Sequence, residues 1–262
     1  MQTRTYWKNQ NMTFRDEDFG PAEGVGLWQL CPLVALNDPS VAHIFFDDFF
    51  TQPGTKASAA GSYLIVEDDG AGGTDAVLDA AGGVYQHFCD ADNDDEAYMF
   101  TAKEHWKFAA GKSLWLEARI AITQGAINVA NWIVGLTDVA AANMLQDSEA
   151  GPAASYDGAV FFGTAGALTF GFETSNAAAQ VTTANAGTIV SATMINLGFH
   201  FKSESAADTV GTITPFVNGV AGTPHSITLA GLDEMEFCIG VKSNGTAEEA
   251  FSIDYLKIVQ IR

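Results

Sequence analysis

The sequence predicts an all-β protein, a β-sandwich or jelly roll, because three observations agree. Short apolar runs recur along the chain, and several alternate apolar and polar residues as half-buried strands do. Turn-forming Gly, Asn, Asp and Pro residues separate these runs at short intervals. Residues 104–110 and 139–146 have a helical composition, but both stretches are too short to carry packing alone. This pattern favours two packed antiparallel sheets.

The clearest hairpin signal is Asn218-Gly219, between the two short apolar runs of residues 212–220. Asn-Gly favours a type I′ turn because that turn needs positive φ at both central residues. Pro215 cannot donate a ladder hydrogen bond, so we expect this hairpin at or near a sheet edge.

The remaining strands follow from the same alternation. In residues 114–122 the even positions form one apolar face, and in residues 196–202 the odd positions do. In residues 251–262 the odd positions are apolar except Lys257, which predicts one apolar face along the whole strand. The other predicted strands are residues 43–50, 63–66, 77–78, 84–88, 97–100, 131–136, 158–162, 168–173, 227–229 and 236–241.

Residues 1–42 show no sustained period and are predicted to form an extended N-terminal arm on a jelly-roll domain of residues 43–262. The aromatic residues of the arm are Trp7, Phe14, Phe19 and Trp28. Two interpretations stay open. The arm reaches a neighbouring molecule with aromatic anchors, or it wraps its own domain and pads the core.

Charge excludes two classes of partner. The chain has 12 Lys and Arg residues against 32 Asp and Glu residues, a formal net charge of -20. That field repels nucleic acid and anionic membranes, so we expect neither as a partner. We find no apolar run long enough to span a bilayer and no signal-peptide pattern, so we expect synthesis in the cytoplasm.

Cysteine and histidine patterns indicate no cofactor. Cys31, Cys89 and Cys238 are odd in number and lack C-x-x-C spacing, which argues against a disulfide framework or a zinc site. The histidines show no H-x-x-x-H spacing, and His200 falls on the polar face of its strand, where we expect it at the surface.

The order of the strands resembles the concanavalin A-like lectin/glucanase jelly-roll family, including its laminin-G-type members, over residues 43–262. The matching segments are residues 44–49, 114–120, 131–136, 214–220 and 253–259. The resemblance implies a concanavalin-like jelly-roll β-sandwich. Within that group, this Ala/Gly-rich chain is most similar to phage virion proteins of the capsid cement or decoration type.

That resemblance implies a non-enzymatic structural protein on the virion capsid surface. It would bind and stabilise the phage capsid through its N-terminal arm, with the major capsid protein and further copies of itself, as a homotrimer, for partners. The alternative is a lectin-like carbohydrate-binding module of a tail or fibre protein.

Two groups of acidic residues are candidates for a catalytic site and for a calcium site. Glycanases of this family need a Glu-x-Asp-x-x-Glu strand, which places the carboxylates on one face. The nearest match, Asp233-Glu-Met-Glu236, has the wrong spacing, so we expect a solvated strand entry, no catalytic residue and no enzyme. Asp90, Asp92 and Asp94 have a spacing that suits calcium, or else form a solvated turn. The EF-hand pattern fails there, and no metal ligand is predicted.

The tryptophans divide into two groups. Trp7, Trp28, Trp106 and Trp115 are expected on exposed faces, where aromatic anchors contact proteins. Trp132 lies between apolar neighbours and is expected in the core.

Overall fold

The structure, a computed structural model, describes residues 5–8, 11–14, 26–51, 53, 62–67, 75–78, 80, 82–124, 130–245 and 248–262. In these residues two antiparallel sheets pack as a β-sandwich, so the predicted all-β class is confirmed. No described helix is long and apolar enough to cross a lipid bilayer.

The strands and helices are short, and residues 104–110 and 139–146 are not helices. The strands are β1 (Thr5–Lys8), β2 (Asn11–Phe14), β3 (Ala42–Asp47), β4 (Tyr63–Glu67), β5 (Asp75–Leu78), β6 (Val84–Cys89), β7 (Asn93–Thr101), β8 (Ser113–Gln124), β9 (Asn131–Thr137), β10 (Gly158–Gly163), β11 (Thr169–Asn176), β12 (Ala179–Thr188), β13 (Ile195–Lys202), β14 (Val210–Val217), β15 (Val220–Ala221), β16 (His225–Thr228), β17 (Glu236–Asn244) and β18 (Glu249–Ile261). The helical elements are a 3₁₀ turn at Leu27–Leu30, helix α1 at Leu33–Asn37 and a 3₁₀ turn at Asp147–Glu149.

Two large sheets form the sandwich. The seven-stranded sheet has the order β12-β11-β10-β9-β17-β7-β4. The nine-stranded sheet has the order β15-β14-β13-β8-β18-β6-β5, with β16 beside β14 and β3 beside β18. Strands β1 and β2 form a separate antiparallel hairpin.

The main core lies between the sheets and confirms the predicted faces of β8 and β13. The even positions of β8 and the odd positions of β13 point into it, and Leu116 lies opposite Phe199. Trp132 is 1% exposed, and its ring packs edge-on against Phe170, as the core prediction required.

Strand β18 departs from its prediction. Ile253 enters the core, but so do Leu256 and Ile258. The pairing of β18 with β8 shifts around Asp254, and such a bulge moves every later side chain to the opposite face. Val259 therefore packs on the outside of the sheet, and the predicted single face of odd positions is wrong beyond Ile253.

Residues 26–42, called the cap segment below, cover the outer face of the nine-stranded sheet. The residues buried in this contact are Leu27, Cys31, Ala35, Ala42, Trp115, Phe216 and Val259. A Cβ atom at position 198 would lie 2.5 Å from the Leu116 carbonyl oxygen and 2.8 Å from Leu27 Cδ2. The absence of a side chain at Gly198 therefore leaves room for Leu27 to pack on the sheet. Trp28 donates an indole hydrogen bond to Glu117 at 2.9 Å.

The cap segment therefore lies on its own domain, whereas the side chains of Trp7, Phe14 and Phe19 lie outside the described residues. The domain boundary at residue 42 stays a prediction.

Two residues beneath the cap segment correct the sequence prediction. Trp115 is 2% exposed and His200 is 8% exposed, and their rings stack with centroids 4.8 Å apart. Burial lowers the pKa of His200 to about 4, and the nearby Lys202 charge adds to this. Trp106 is also buried and stacks on His43, while Trp28 is half-buried. Alternation showed that Trp115 and His200 point away from the main core, but not that a distant segment covers them, whereas Trp106 belongs to the main core itself.

The hairpin at Asn218-Gly219 has the predicted positive φ at both central residues, 49° and 78°. Asn218 Oδ1 also accepts the amide of Asn196 at 3.0 Å, which fixes the turn against β13. On the far side of β14, β15 and β16 pair with residues on either side of Pro215. Pro215 thus occupies a gap in the ladder close to the edge of the sheet.

Candidate functional site

Three aspartates meet at one end of the seven-stranded sheet, although they lie far apart in the sequence. Asp138 follows β9, Asp157 precedes β10 and Asp233 lies shortly before β17. The antiparallel register of β9 with β10 and β17 brings these strand ends together. One carboxylate oxygen from each aspartate lies within 4.8 Å of the other two.

Asp157 organises this group. It is buried, and its two carboxylate oxygens accept the amides of Ala177 and Asp233, each at 2.7 Å. Its own amide donates to Asp138 Oδ1 at 2.7 Å. Burial raises the pKa of Asp138, and the charges of Asp157 and Asp233 add to that effect against opposing backbone hydrogen bonds. The hydrogen bonds of Asp157 therefore tie three connecting segments into one site.

Glu236 starts β17 beside this group and lies opposite Thr137. It is 4% exposed, and burial raises its pKa to about 7, helped by the negative charges of Glu104 and Asp138 and opposed by Lys103. A carboxyl group with such a pKa can hold or release a proton near neutral pH. We call Asp138, Asp157, Asp233 and Glu236 the acidic end.

The predicted solvated strand entry is correct for Asp233 and Glu234 but wrong for Glu236. Asp233 and Glu234 are exposed, and Glu234 pairs with Lys107 at 3.0 Å. Glu236 already lies within the sheet, because the pairing of β17 with β9 begins at this residue and its pairing with β7 begins two residues later.

Chemically, the acidic end offers only oxygen ligands. Carboxylates accept hydrogen bonds from hydroxyl groups, and a cluster of them suits a hard cation such as Ca²⁺ or Mg²⁺. Asp157 already spends one lone pair of each oxygen on an amide, so Asp138 and Asp233 are the freer ligands.

Sequence reasoning missed Asp138 and Asp157. Asp157 directly precedes the predicted strand of residues 158–162, and Asp138 lies two residues after the predicted strand of residues 131–136. Both strands were expected in one sandwich. The missing information was the register, because only antiparallel pairing of these two strands places the end of one beside the start of the other.

Residues 90–94, the Asp90 loop, comprise the connection between β6 and β7 and the first two residues of β7. Asp92 is exposed, Asp90 and Asp94 are half-buried, and the amide of Asp90 donates to Asp95. Within the described ranges, the aspartates of the acidic end are the one group of three carboxylates close enough to share a metal ion. The calcium alternative for the Asp90 loop therefore gains no geometric support.

Residues 138–157 fold over the outer face of the seven-stranded sheet. Met144, Leu145 and Tyr156 bury there with Tyr98 and Phe100. The apolar stretch that had a helical composition is this cover, because its side chains point into the sheet face. The acidic end therefore lies at the margin of a covered face.

Lys242, on β17, binds residues 138–157, called the cover, to the seven-stranded sheet. Its ammonium group, 1% exposed, donates to Glu96 at 2.5 Å, to Asp147 at 2.5 Å, to Asn143 Oδ1 at 3.1 Å and to the Leu145 carbonyl at 3.2 Å. Burial opposes the charge of Lys242, but the two carboxylates outweigh it and raise its pKa.

Comparisons with known proteins place the fold. An endo-1,3-beta-glucanase from Streptomyces sioyaensis has a TM-score of 0.54 at 13% identity, covering 85% of this chain and 97% of its own. An endo-beta-1,4-glucuronan lyase from the fungus Trichoderma reesei has a TM-score of 0.51 at 9% identity, covering 82% and 94%. The carbohydrate recognition domain of Emp47p has a TM-score of 0.52 at 10% identity, covering 84% and 97%.

No protein-family model matches the chain, and no curated protein matches its sequence. The chain thus has the concanavalin-like jelly-roll fold, as predicted, and it shares this fold with a glucanase, a lyase and a carbohydrate recognition domain. The expectation that the chain is not an enzyme is wrong. The glucanase and the lyase have the same fold, so the fold gives no reason to exclude an enzyme.

Proposed function

We propose that the protein binds carbohydrate at the acidic end of the seven-stranded sheet. The observation that carries this proposal is the convergence of Asp138, Asp157 and Asp233 within 4.8 Å. Carboxylates held by backbone amides are pre-oriented acceptors for sugar hydroxyl groups. The carbohydrate recognition domain with the same fold supports this by analogy.

Charge narrows the ligand class. A chain of net charge -20 with a carboxylate cluster repels acidic polysaccharides such as polyuronates. We therefore expect a neutral glycan or one with amino sugars, and weak or no binding of uronic acid polymers.

A glycan array followed by calorimetry tests the proposal. Asp138→Asn should weaken binding at least about tenfold, because it removes one of the two freer carboxylates of the group. Glu204→Gln is the matched control, since Glu204 is exposed, pairs with Lys202 and is not one of the residues of the acidic end. Binding that survives Asp138→Asn unchanged, or the absence of any glycan ligand, would contradict the proposal.

A second candidate is glycan cleavage, which the pKa of Glu236 favours. A carboxyl group with a pKa of about 7 beside an ionised one has the properties of a general acid. Release of reducing ends from neutral polysaccharides should fall at least about a hundredfold in Glu236→Gln. Glu234→Gln, an exposed neighbour, is the control and should keep full activity. Equal rates in both variants would show that Glu236 is not the general acid.

Capsid decoration through an N-terminal arm remains a proposal about residues 1–25. The cap segment is occupied by contacts with its own sheet. An arm that reaches a major capsid protein or another copy would therefore start upstream of Gly26. Capsid particles incubated with the full chain and with a chain lacking residues 1–25 would show whether that region is needed.

A further inference from the structure

Strand β12 is the outermost strand of the seven-stranded sheet. Among the described residues it pairs with β11 on one side, and its other side faces no strand. Nearly all of its residues are exposed or half-exposed, and Val181 is 47% exposed. The backbone amides and carbonyls along its outer side form a template for a further strand.

This edge lacks two of the usual protections against pairing, charged side chains and proline. No Asp, Glu, Lys or Arg occurs between Glu173 and Lys202, in a chain with 12 basic and 32 acidic residues. Natural edge strands are commonly protected by charged side chains or proline, and β12 has neither. A chain of net charge -20 repels its own copies over most of its surface, so a charge-free edge is where two copies can approach.

The register of β12 with β11 limits the length of β12 that can pair with a further strand. Phe172 lies opposite Thr183, but Phe170 lies opposite Gly187, so β12 bulges between Thr183 and Gly187. Regular pairing is therefore confined to residues 179–183, whose central residue is Val181. A two-fold axis at Val181 would place the two Val181 side chains opposite each other.

We propose that two copies of this chain pair antiparallel through residues 179–183 of β12, which joins their seven-stranded sheets into one. A second copy is the occupant favoured here because the segment is uncharged and self-complementary about Val181. Such an isologous pair is closed and does not propagate into a fibre.

The pairing also has a consequence for the acidic end. The β11–β12 turn is fixed to it, because the Ala177 amide donates to Asp157 at 2.7 Å. Because the two β12 strands run antiparallel, dimerisation would place the two acidic ends at opposite ends of the joined sheet, so each site stays open to its own ligand. The dimer itself does not depend on the carbohydrate proposal.

Sedimentation velocity of the full chain over a range of concentrations and salt tests this inference. The wild type should form a reversible dimer that is strengthened by added NaCl, since salt screens the repulsion between two acidic copies. Val181→Glu should weaken dimerisation at least about tenfold, because it places like charges opposite each other. Val220→Glu, on the exposed strand β15 of the other sheet, is the matched control and should dimerise as the wild type does.

Hydrogen exchange gives a second readout that needs no variant. Amides on the outer side of residues 179–183 should become more protected as protein concentration rises. A wild type that stays monomeric at every concentration, or a Val181→Glu dimer of unchanged affinity, would overturn the inference.

Discussion

At the residue scale, the ionisable groups of this chain divide by burial. Lys242 and Glu96 are 1% and 0% exposed and paired at 2.5 Å, whereas Lys202 and Glu204 make the same kind of pair at the surface. Water screens the surface pair but reaches the buried one hardly at all. The same ion pair therefore has very different consequences at the two places.

Lys242→Met should lower the free energy of unfolding by about 3–5 kcal/mol, because the buried Glu96 carboxylate loses the ammonium group that balances its charge. Lys202→Met is the matched control and should cost less than about 1 kcal/mol. Urea denaturation of both variants measures the difference. Equal effects would mean that the cover formed by residues 138–157 does not depend on Lys242.

At the element scale, local pattern predicted some features and not others. The faces of β8 and β13 were predictable because alternation alone decides them. The bulge at Asp254 and the meeting of Asp138 with Asp157 were not, because both depend on pairing between distant strands. The cover of residues 138–157 was mistaken for a helical turn because its apolar residues carry no signal of what they pack against.

The cap segment gives the prediction at this scale. Deleting residues 1–42 should destabilise the domain by several kcal/mol, because the deletion exposes Trp115, Phe216 and Val259 to water. It also removes the packing of Leu27 against Gly198. Deleting residues 1–25 keeps the cap segment and should change stability little. Thermal unfolding of the two truncated chains compares them. An arm that only serves a partner would make the two deletions equally harmless.

At the scale of the whole molecule, acidity and stability are opposed. The net charge of -20 grows as carboxyl groups lose protons, and self-repulsion then disfavours the compact state. The acidic end concentrates this effect, because Asp138 and Glu236 both have raised pKa values in the folded chain. The fold thus keeps a costly group of carboxyl groups, which is common where a site serves binding or catalysis.

Stability should therefore fall as pH rises through the acidic range. Folding raises the pKa of Glu236 from 4.5 to about 7, so the folded state holds this proton more tightly than the unfolded one. That contribution is complete below pH 4.5 and is lost as pH approaches 7, at a cost of roughly 1–3 kcal/mol.

Glu236→Gln carries no titratable proton, so its stability should depend less on pH and should exceed that of the wild type at pH 8. Glu234→Gln removes an exposed charge paired with Lys107 and should keep the wild-type slope. Urea midpoints from pH 4 to 8 for the three proteins decide the matter. If both variants reproduced the wild-type slope, the dependence would come from the overall charge, and Glu236 would not be the group that titrates between pH 4.5 and 7.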